Sequence, residues 1–398
     1  MIRWGQKQVN PLRCLNLAVF MRGQVFLLPV LYIFYQKNGL SLSDFFYFQG
    51  IVTFISLLFY VPAGYLADIF SKKKILILSM LFALTRAVLW LLFSGYWIVL
   101  IGEISYALSR SFFSGIVDSY MCDYLKTLDR QDKMTKCYGR LNFFMSLSSA
   151  LSALIGPFML VDFSLAYLIA LEAVFILMAI YFLCRLPEVP VFNKGRGNLM
   201  QKYHHIYNVL KVVFHKNHLW VPMFYSGLFS ATTILLVWCF QPLMLKSLIP
   251  VICFGIISFI NHITRASFSI HIQKIMNLFS LQKIQNMACF LFVSSILGLS
   301  LSFWVVNMTL SIVCLLLSCL ATGMQLAYTV AAIAYVHSQI KSGNRSLISN
   351  LNFMIAAVLS SVLLFVFKSS LQFVSIEISL MAYTLLFCAC IAFLQKNQ

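Results

Sequence analysis

The chain is built from long apolar runs. Twelve stretches of roughly 18 or more mainly apolar residues lie at about 14–34, 45–66, 75–94, 97–121, 141–160, 164–184, 218–240, 251–272, 285–305, 309–333, 347–367 and 371–394. A helix needs about 20 such residues to cross the hydrocarbon core of a bilayer. Twelve crossings at about 20 residues each consume about 240 of the 398 positions. What remains is enough for loops and tails but not for a folded domain outside the membrane. Hydrophobic types make up 61% of the residues and charged types 10%, against about 45–50% and about 25% in soluble domains. A soluble enzyme, a disordered chain and a disulfide-stapled secreted domain are excluded. In lipid every backbone polar group must be satisfied internally, so the expected class is an all-α membrane protein with twelve transmembrane helices.

Charge placement sets the expected orientation. The net charge of +18 comes from 29 Lys and Arg against 11 Asp and Glu. In a soluble protein that excess would indicate nucleic acid. Here it is the signature of loops facing anionic lipid, and no nucleic-acid partner is expected. Arg22, Arg86, Arg110 and Arg265 fall inside helices, and Lys37, Lys246 and Lys368 fall in odd-numbered loops. Every other Lys and Arg lies in the tails or the even-numbered loops. Both termini are therefore expected in the cytoplasm, with the chain in the cytoplasmic (inner) membrane. The first apolar run has no small-residue cleavage site and reads as a retained helix. The 11 cysteines sit mostly inside apolar stretches without a CxxC, and read as small buried hydrophobes. No metal and no cofactor are expected.

The polar stretch 185–217 divides the chain. It carries Arg185, Lys194, Arg196, Lys202, Lys211 and Lys216, together with His204, His205 and His215, and His218 follows it. A solvated basic linker explains these residues without a metal. The expected organisation is a six-helix bundle over 1–186, a cytoplasmic basic linker over 187–217 and a second six-helix bundle over 218–398. Weak internal similarity supports a duplication. Gly115 of helix 4 aligns with Gly323 of helix 10, and Leu141-Asn142-Phe143 aligns with Leu351-Asn352-Phe353 at nearly the same offset. Parallel repeats of this kind build transporters whose site lies between the halves near the bilayer midplane.

The loop between helices 2 and 3 runs Pro62-Ala63-Gly64-Tyr65-Leu66-Ala67-Asp68-Ile69-Phe70-Ser71-Lys72-Lys73-Lys74-Ile75-Leu76. It resembles the signature loop of the major facilitator superfamily, Gly-x-Leu-Ala-Asp-Arg-x-Gly-Arg-Lys-x-x-Leu. Gly64, Leu66, Ala67, Asp68, Lys72, Lys73 and Leu76 fit, whereas Ile69 and Ser71 replace the usual Arg and Gly. The resemblance implies two pseudo-symmetric six-helix bundles that alternate access to a central site. It also implies a cytoplasmic gate at Gly64, Asp68, Lys72 and Lys73, with Asp68 against the start of helix 11. The run from Ser114-Gly115 to Tyr120-Met121-Cys122-Asp123-Tyr124-Leu125 resembles a Ser-Gly…Tyr-Asp-x-Leu pattern of a drug-efflux-like bacterial group in that superfamily. That group often carries Glu two residues before the Pro of helix 2, where this chain has Tyr60. Asp123 belongs either to the gate or to a salt bridge with Lys72–Lys74, the preferred reading. Gly156-Pro157 in helix 5 partly matches the Gly-Pro motif of antiporters in the superfamily.

Few ionisable residues enter the apolar runs. Charges in hydrocarbon face a partner or a wet cavity, so Arg22, Glu103, Arg110, Asp118, Glu172 and Arg265 are the expected substrate and coupling residues. Read as one continuous helix, Glu103, Arg110, Ser114 and Asp118 form a stripe within about 80°. Two accounts stand open: Arg22, Arg110 and Arg265 together bind an anion, or Arg110 pairs with Glu103 or Asp118 while Arg86 pairs with Glu172. No Walker loop is present, so ATP is not the driver. The first expectation is a proton-coupled efflux transporter of an amphipathic small molecule, acting as a monomer. The alternative is an importer of an anionic nutrient or metal chelate. A polytopic membrane enzyme is a remote third, since HxxxxD, HExxH and GxSxG are absent.

Overall fold

The computed structural model describes residues 11–130, 134–189, 216–339 and 345–396. His204, His205 and His215, with most of the linker, lie outside them, as do the side chains of Asp68 and His337. Among the described residues every regular element is helical. The first half comprises α1 (Pro11–Arg22), α2 (Leu31–Lys37), α3 (Leu42–Ile69), α4 (Lys72–Leu92), α5 (Tyr96–Phe113), α6 (Ile116–Thr127), α7 (Met134–Met159) and α8 (Leu165–Cys184). The second half comprises α9 (Asn217–Lys246), α10 (Val251–Ile270), α11 (Ile272–Leu278), α12 (Leu281–Val305), α13 (Met308–Ser338), α14 (Arg345–Ser370) and α15 (Ile376–Lys396).

Ten of these helices are long and apolar enough to cross a membrane. The two remaining crossings are interrupted rods, where continuous helices were expected over 14–34 and 97–121. Crossing 1 consists of α1, an irregular link, a 3-10 turn at Leu28–Val30 and α2. Pro29 explains the break: it has no N–H to donate, and its ring clashes with the carbonyl four residues back. Crossing 4 is α5 followed by α6. The chain turns between them at Gly115, whose φ of +76° lies in the left-handed region that favours glycine. The internal repeat does not extend to this feature. Gly323 sits inside the unbroken α13, where an added Cβ would meet the Phe268 ring at 2.6 Å.

The halves meet along two helix pairs, α3 with α14 and α7 with α10. One end of the molecule carries the described chain ends at 11 and 396 and the α3–α4 loop; we call it the termini end and its opposite the far end. At the far end the halves are sealed. Phe45 packs edge-on against Trp238 at 5.3 Å, and Phe46 packs against Phe367 at 4.8 Å. The Ser43 hydroxyl donates to the Lys368 carbonyl at 3.2 Å, and the Lys368 ammonium stands over the Tyr47 ring. Phe45, Phe46 and Phe48 are fully buried, whereas Phe54, Leu58 and Phe59 further along α3 are exposed. Along α10, Phe254 and Ile257 are buried, but Ile263 and Ile270 are exposed. The halves thus close on each other at the far end and part toward the termini end.

Candidate functional site

A cavity of about 220 Å3 lies between the halves. The first half contributes Gln49, Arg86, Glu103, Tyr106 and Arg110. The second contributes Trp238, Gln241, Asn261 and His262. These side chains come from α3, α4, α5, α9 and α10, and the interrupted crossing 1 adds Leu28, Pro29 and Leu31.

The break in crossing 1 is fixed from three sides. The freed Leu27 N–H donates to Glu172 Oε1 on α8 at 2.7 Å. Across the interface, Gln241 Oε1 accepts from the Tyr32 N–H at 2.8 Å, and Gln241 Nε2 donates to the Leu28 carbonyl at 2.9 Å. Behind the break, α7 approaches so closely that a Cβ on Gly156 would stand 2.1 Å from the Phe26 carbonyl oxygen. Backbone groups released inside a membrane must find such partners. Gln241 therefore does two jobs: it satisfies the broken helix and it ties the halves together. It also forms a partition. Tyr32 and Pro242 line a wide cleft on the far-end surface, whereas Leu31 and Gln241 line the central cavity.

Glu103 is 1% exposed and accepts a hydrogen bond from the Tyr35 hydroxyl at 2.6 Å. Gln49 Nε2 in turn donates to Tyr35 Oη at 3.3 Å. The Arg86 guanidinium lies between two rings, 4.2 Å from the Trp90 centroid and 4.4 Å from that of Tyr106. Attraction from both Glu103 and Glu172 acts on it. No ion pair within 4 Å joins these groups, so the expected pairings of Arg86 with Glu172, and of Arg110 with Glu103 or Asp118, are not formed.

The helix breaks explain where the other charges go. Arg22 lies in the last turn of α1 and Arg110 in the last turn of α5, where the negative end of the helix dipole favours a cation. Asp118 lies in the first turn of α6, where the positive end favours an anion. The expected stripe across Glu103, Arg110 and Asp118 required an unbroken helix, and Gly115 removes it. Arg22 stacks on Phe113 at 4.2 Å. Glu103 and Arg110 line the cavity, while Arg22, Asp118, Glu172 and Arg265 are not among its lining residues.

Lys72 and Lys73 of the signature loop bind within the first half. Lys72 forms a buried ion pair with Asp123 on α6, which Lys126 approaches at 3.8 Å. Lys73 Nζ donates to the Cys184 carbonyl at the end of α8 at 2.7 Å. Gly64 is exposed, with nothing within 4 Å of an added Cβ. On α10, a Cβ on Gly255 would stand 2.9 Å from the Ala153 and Leu154 carbonyl oxygens of α7 and 3.2 Å from Pro157 Cγ. The second half holds its own polar cluster: Asn352 donates to Ser226, Ser226 to Thr329, and Gln325 to both Ser230 and Thr329.

The sequence profile of the Major Facilitator Superfamily matches residues 14–364. The chain belongs to this superfamily. No curated protein sequence matches it. Among solved structures, the nucleoside transporter NupG superposes with a TM-score of 0.78 at 11% identity, covering 98% of this chain and 100% of that one. A D-xylose–proton symporter gives 0.73 at 12% identity, covering 97% and 96%. A bacterial homologue of the human lysosomal transporter Spinster, in an inward-facing and unoccupied conformation, gives 0.68 at 13% identity, covering 91% and 82%. At such identities the likeness is one of fold. The chain is thus a multi-pass membrane transporter of the superfamily with its two-bundle architecture.

Gln49, Tyr106, Trp238 and Gln241 were not singled out in the sequence. Gln49 and Gln241 carried a signal: Gln49 is a lone amide inside an apolar run, and Gln241 stands directly at the end of one.

Proposed function

We propose that the chain is a proton-coupled secondary transporter that binds a small molecule in the cavity between its halves. The supporting observation is a cavity walled by both halves at the break in crossing 1, with a buried carboxylate, Glu103, among its lining residues. Such a site changes exposure when the halves rock, because its walls belong to different bodies. Gln241 and the aromatic contacts beside it form the far-end seal. Glu103 carries the transported proton: it is the carboxylate on the cavity wall, and the Tyr35 hydroxyl bonds its charged form. The positive-inside rule makes the termini end cytoplasmic, so the structure represents the state open to the cytoplasm, in the cytoplasmic membrane. The pairs Lys72–Asp123 and Lys73–Cys184 brace α4, α6 and α8 into one rigid body. Asp68 is the gate residue of this loop.

Export of an amphipathic compound was the first expectation, carried by the Tyr-Asp-x-Leu run and Gly156-Pro157. Here Asp123 holds Lys72 and Gly156 admits the Phe26 carbonyl, and both are packing roles that carry no direction. Arg110, facing the cavity without a carboxylate partner, favours uptake of an anionic compound as the second reading. One assay separates the two. Cells with and without the gene are exposed to a compound panel, and accumulation is read with and without an uncoupler. Export lowers accumulation and uptake raises it. In both cases the uncoupler and Glu103→Gln remove the difference. A difference that survives both would refute proton coupling through Glu103.

A further inference from the structure

The cavity wall carries two arginines, Arg86 and Arg110, against one carboxylate, Glu103. Arg86 is accounted for by the rings of Trp90 and Tyr106 and by attraction from Glu103 and Glu172. Arg110 is not. No carboxylate stands within 4 Å of it and no ring lies under it, yet its side chain is exposed to the cavity. Arg22 adds a like charge that Arg110 repels, and the Arg22 Nε is buried without a hydrogen-bond partner. The helix-end dipole near Arg110 is worth only a fraction of a full counter-charge. A cation held at such depth is normally matched by a partner, and the guanidinium fork fits a carboxylate through two parallel hydrogen bonds. The second half lines the same cavity with the half-buried Trp238 and the amides of Gln241 and Asn261. At about 220 Å3 the space is smaller than the roughly 300–1,000 Å3 of pockets for drug-sized ligands.

We propose that the transported substrate is a small organic monoanion of metabolite size, with its carboxylate on Arg110 and a planar apolar body against Trp238. This rests on the reading that the cavity is the transport site, and it replaces a bulky amphipathic substrate with a compact charged one.

The test is thermal unfolding of the purified full chain with matched triples: indole-3-acetate, indole-3-acetamide and tryptamine; phenylacetate, phenylacetamide and phenethylamine; nicotinate, nicotinamide and 3-picolylamine. In at least one triple the carboxylate stabilises the protein, the amide binds about tenfold or more weakly, and the amine gives no shift. Arg110→Gln erases the preference for the carboxylate, and Arg110→Lys keeps a weaker one. Lys283→Gln, at an exposed position on α12, leaves it unchanged. Amides binding as well as their carboxylates, a preference that survives Arg110→Gln, or no carboxylate binding at all would each overturn the proposal. If amides bind and Trp238→Ala removes that binding, the cavity remains the site and only the anion falls. The cavity reading itself fails separately, when transport is indifferent to both Trp238→Ala and Arg110→Gln.

Discussion

Replacing Gln241 by Leu tests the far-end seal with little change of volume. The substitution removes two hydrogen bonds that cross between the halves, Tyr32 N–H to Oε1 at 2.8 Å and Nε2 to the Leu28 carbonyl at 2.9 Å. Hydrogen bonds between membrane helices average about 0.6 kcal/mol, with a maximum near 1.7. The pair therefore contributes about 1–3 kcal/mol to the sealed state, or roughly ten- to hundredfold in its population relative to the opened one. The released Tyr32 amide reports the change directly, since Tyr32 is buried and its N–H exchanges with solvent only when the seal opens. Hydrogen exchange of a peptide spanning 27–35, measured in nanodiscs, is expected to speed up about ten- to hundredfold in Gln241→Leu. Gln241→Glu keeps the acceptor for Tyr32 and loses the donor to Leu28, so it should fall between. Peptides from α15 serve as the control and should not change. Unaltered exchange in Gln241→Leu would show that the aromatic packing alone holds the seal, and would refute the assignment.

Three further perturbations follow from the same geometry. Gly156→Ala drives a Cβ against the Phe26 carbonyl at 2.1 Å and should cost about 1–3 kcal/mol; Gly64→Ala meets nothing within 4 Å and should not lower stability. Equal melting temperatures for the two variants would contradict the packing argument. Lys72→Met leaves the buried Asp123 carboxylate with only Lys126 at 3.8 Å and should destabilise the protein by about 1–3 kcal/mol, short of the full cost of a stranded charge. Adding Asp123→Leu should recover much of that loss, and a purely additive double mutant would remove the brace. Glu172→Leu frees the Leu27 amide, so exchange at 27 should rise while exchange on α15 stays constant; no rise would mean another group holds that amide.

The all-helical membrane class and the family were legible because each rests on a long-range average. A run of about 20 apolar residues specifies a crossing wherever its helix happens to break. The site was less legible because it depends on those breaks. Glu103, Arg110 and Asp118 look like one stripe until Gly115 takes up φ +76°, and no periodicity argument shows that turn. Pro29 was visible in the sequence, but proline is tolerated inside α3, α7 and α9 at Pro62, Pro157, Pro222 and Pro242. Its breaking effect in crossing 1 depends on Glu172 and Gln241 being placed to receive the freed backbone. A neutral amide carries no charge signal in the sequence, yet Gln241 makes two hydrogen bonds between the halves.

The most direct test of the central claim is a pair of spin–spin distances in the intact transporter, with the exposed native Cys184 and Cys388 replaced. One pair, at Gln36 and Gln372, reports the far end; the other, at Arg140 and Ile270, reports the termini end. Two bodies rocking about one cavity predict that, across a pH and ligand series, the first distance lengthens as the second shortens. Distances that move together, or a far end that never opens while transport proceeds, would contradict that motion.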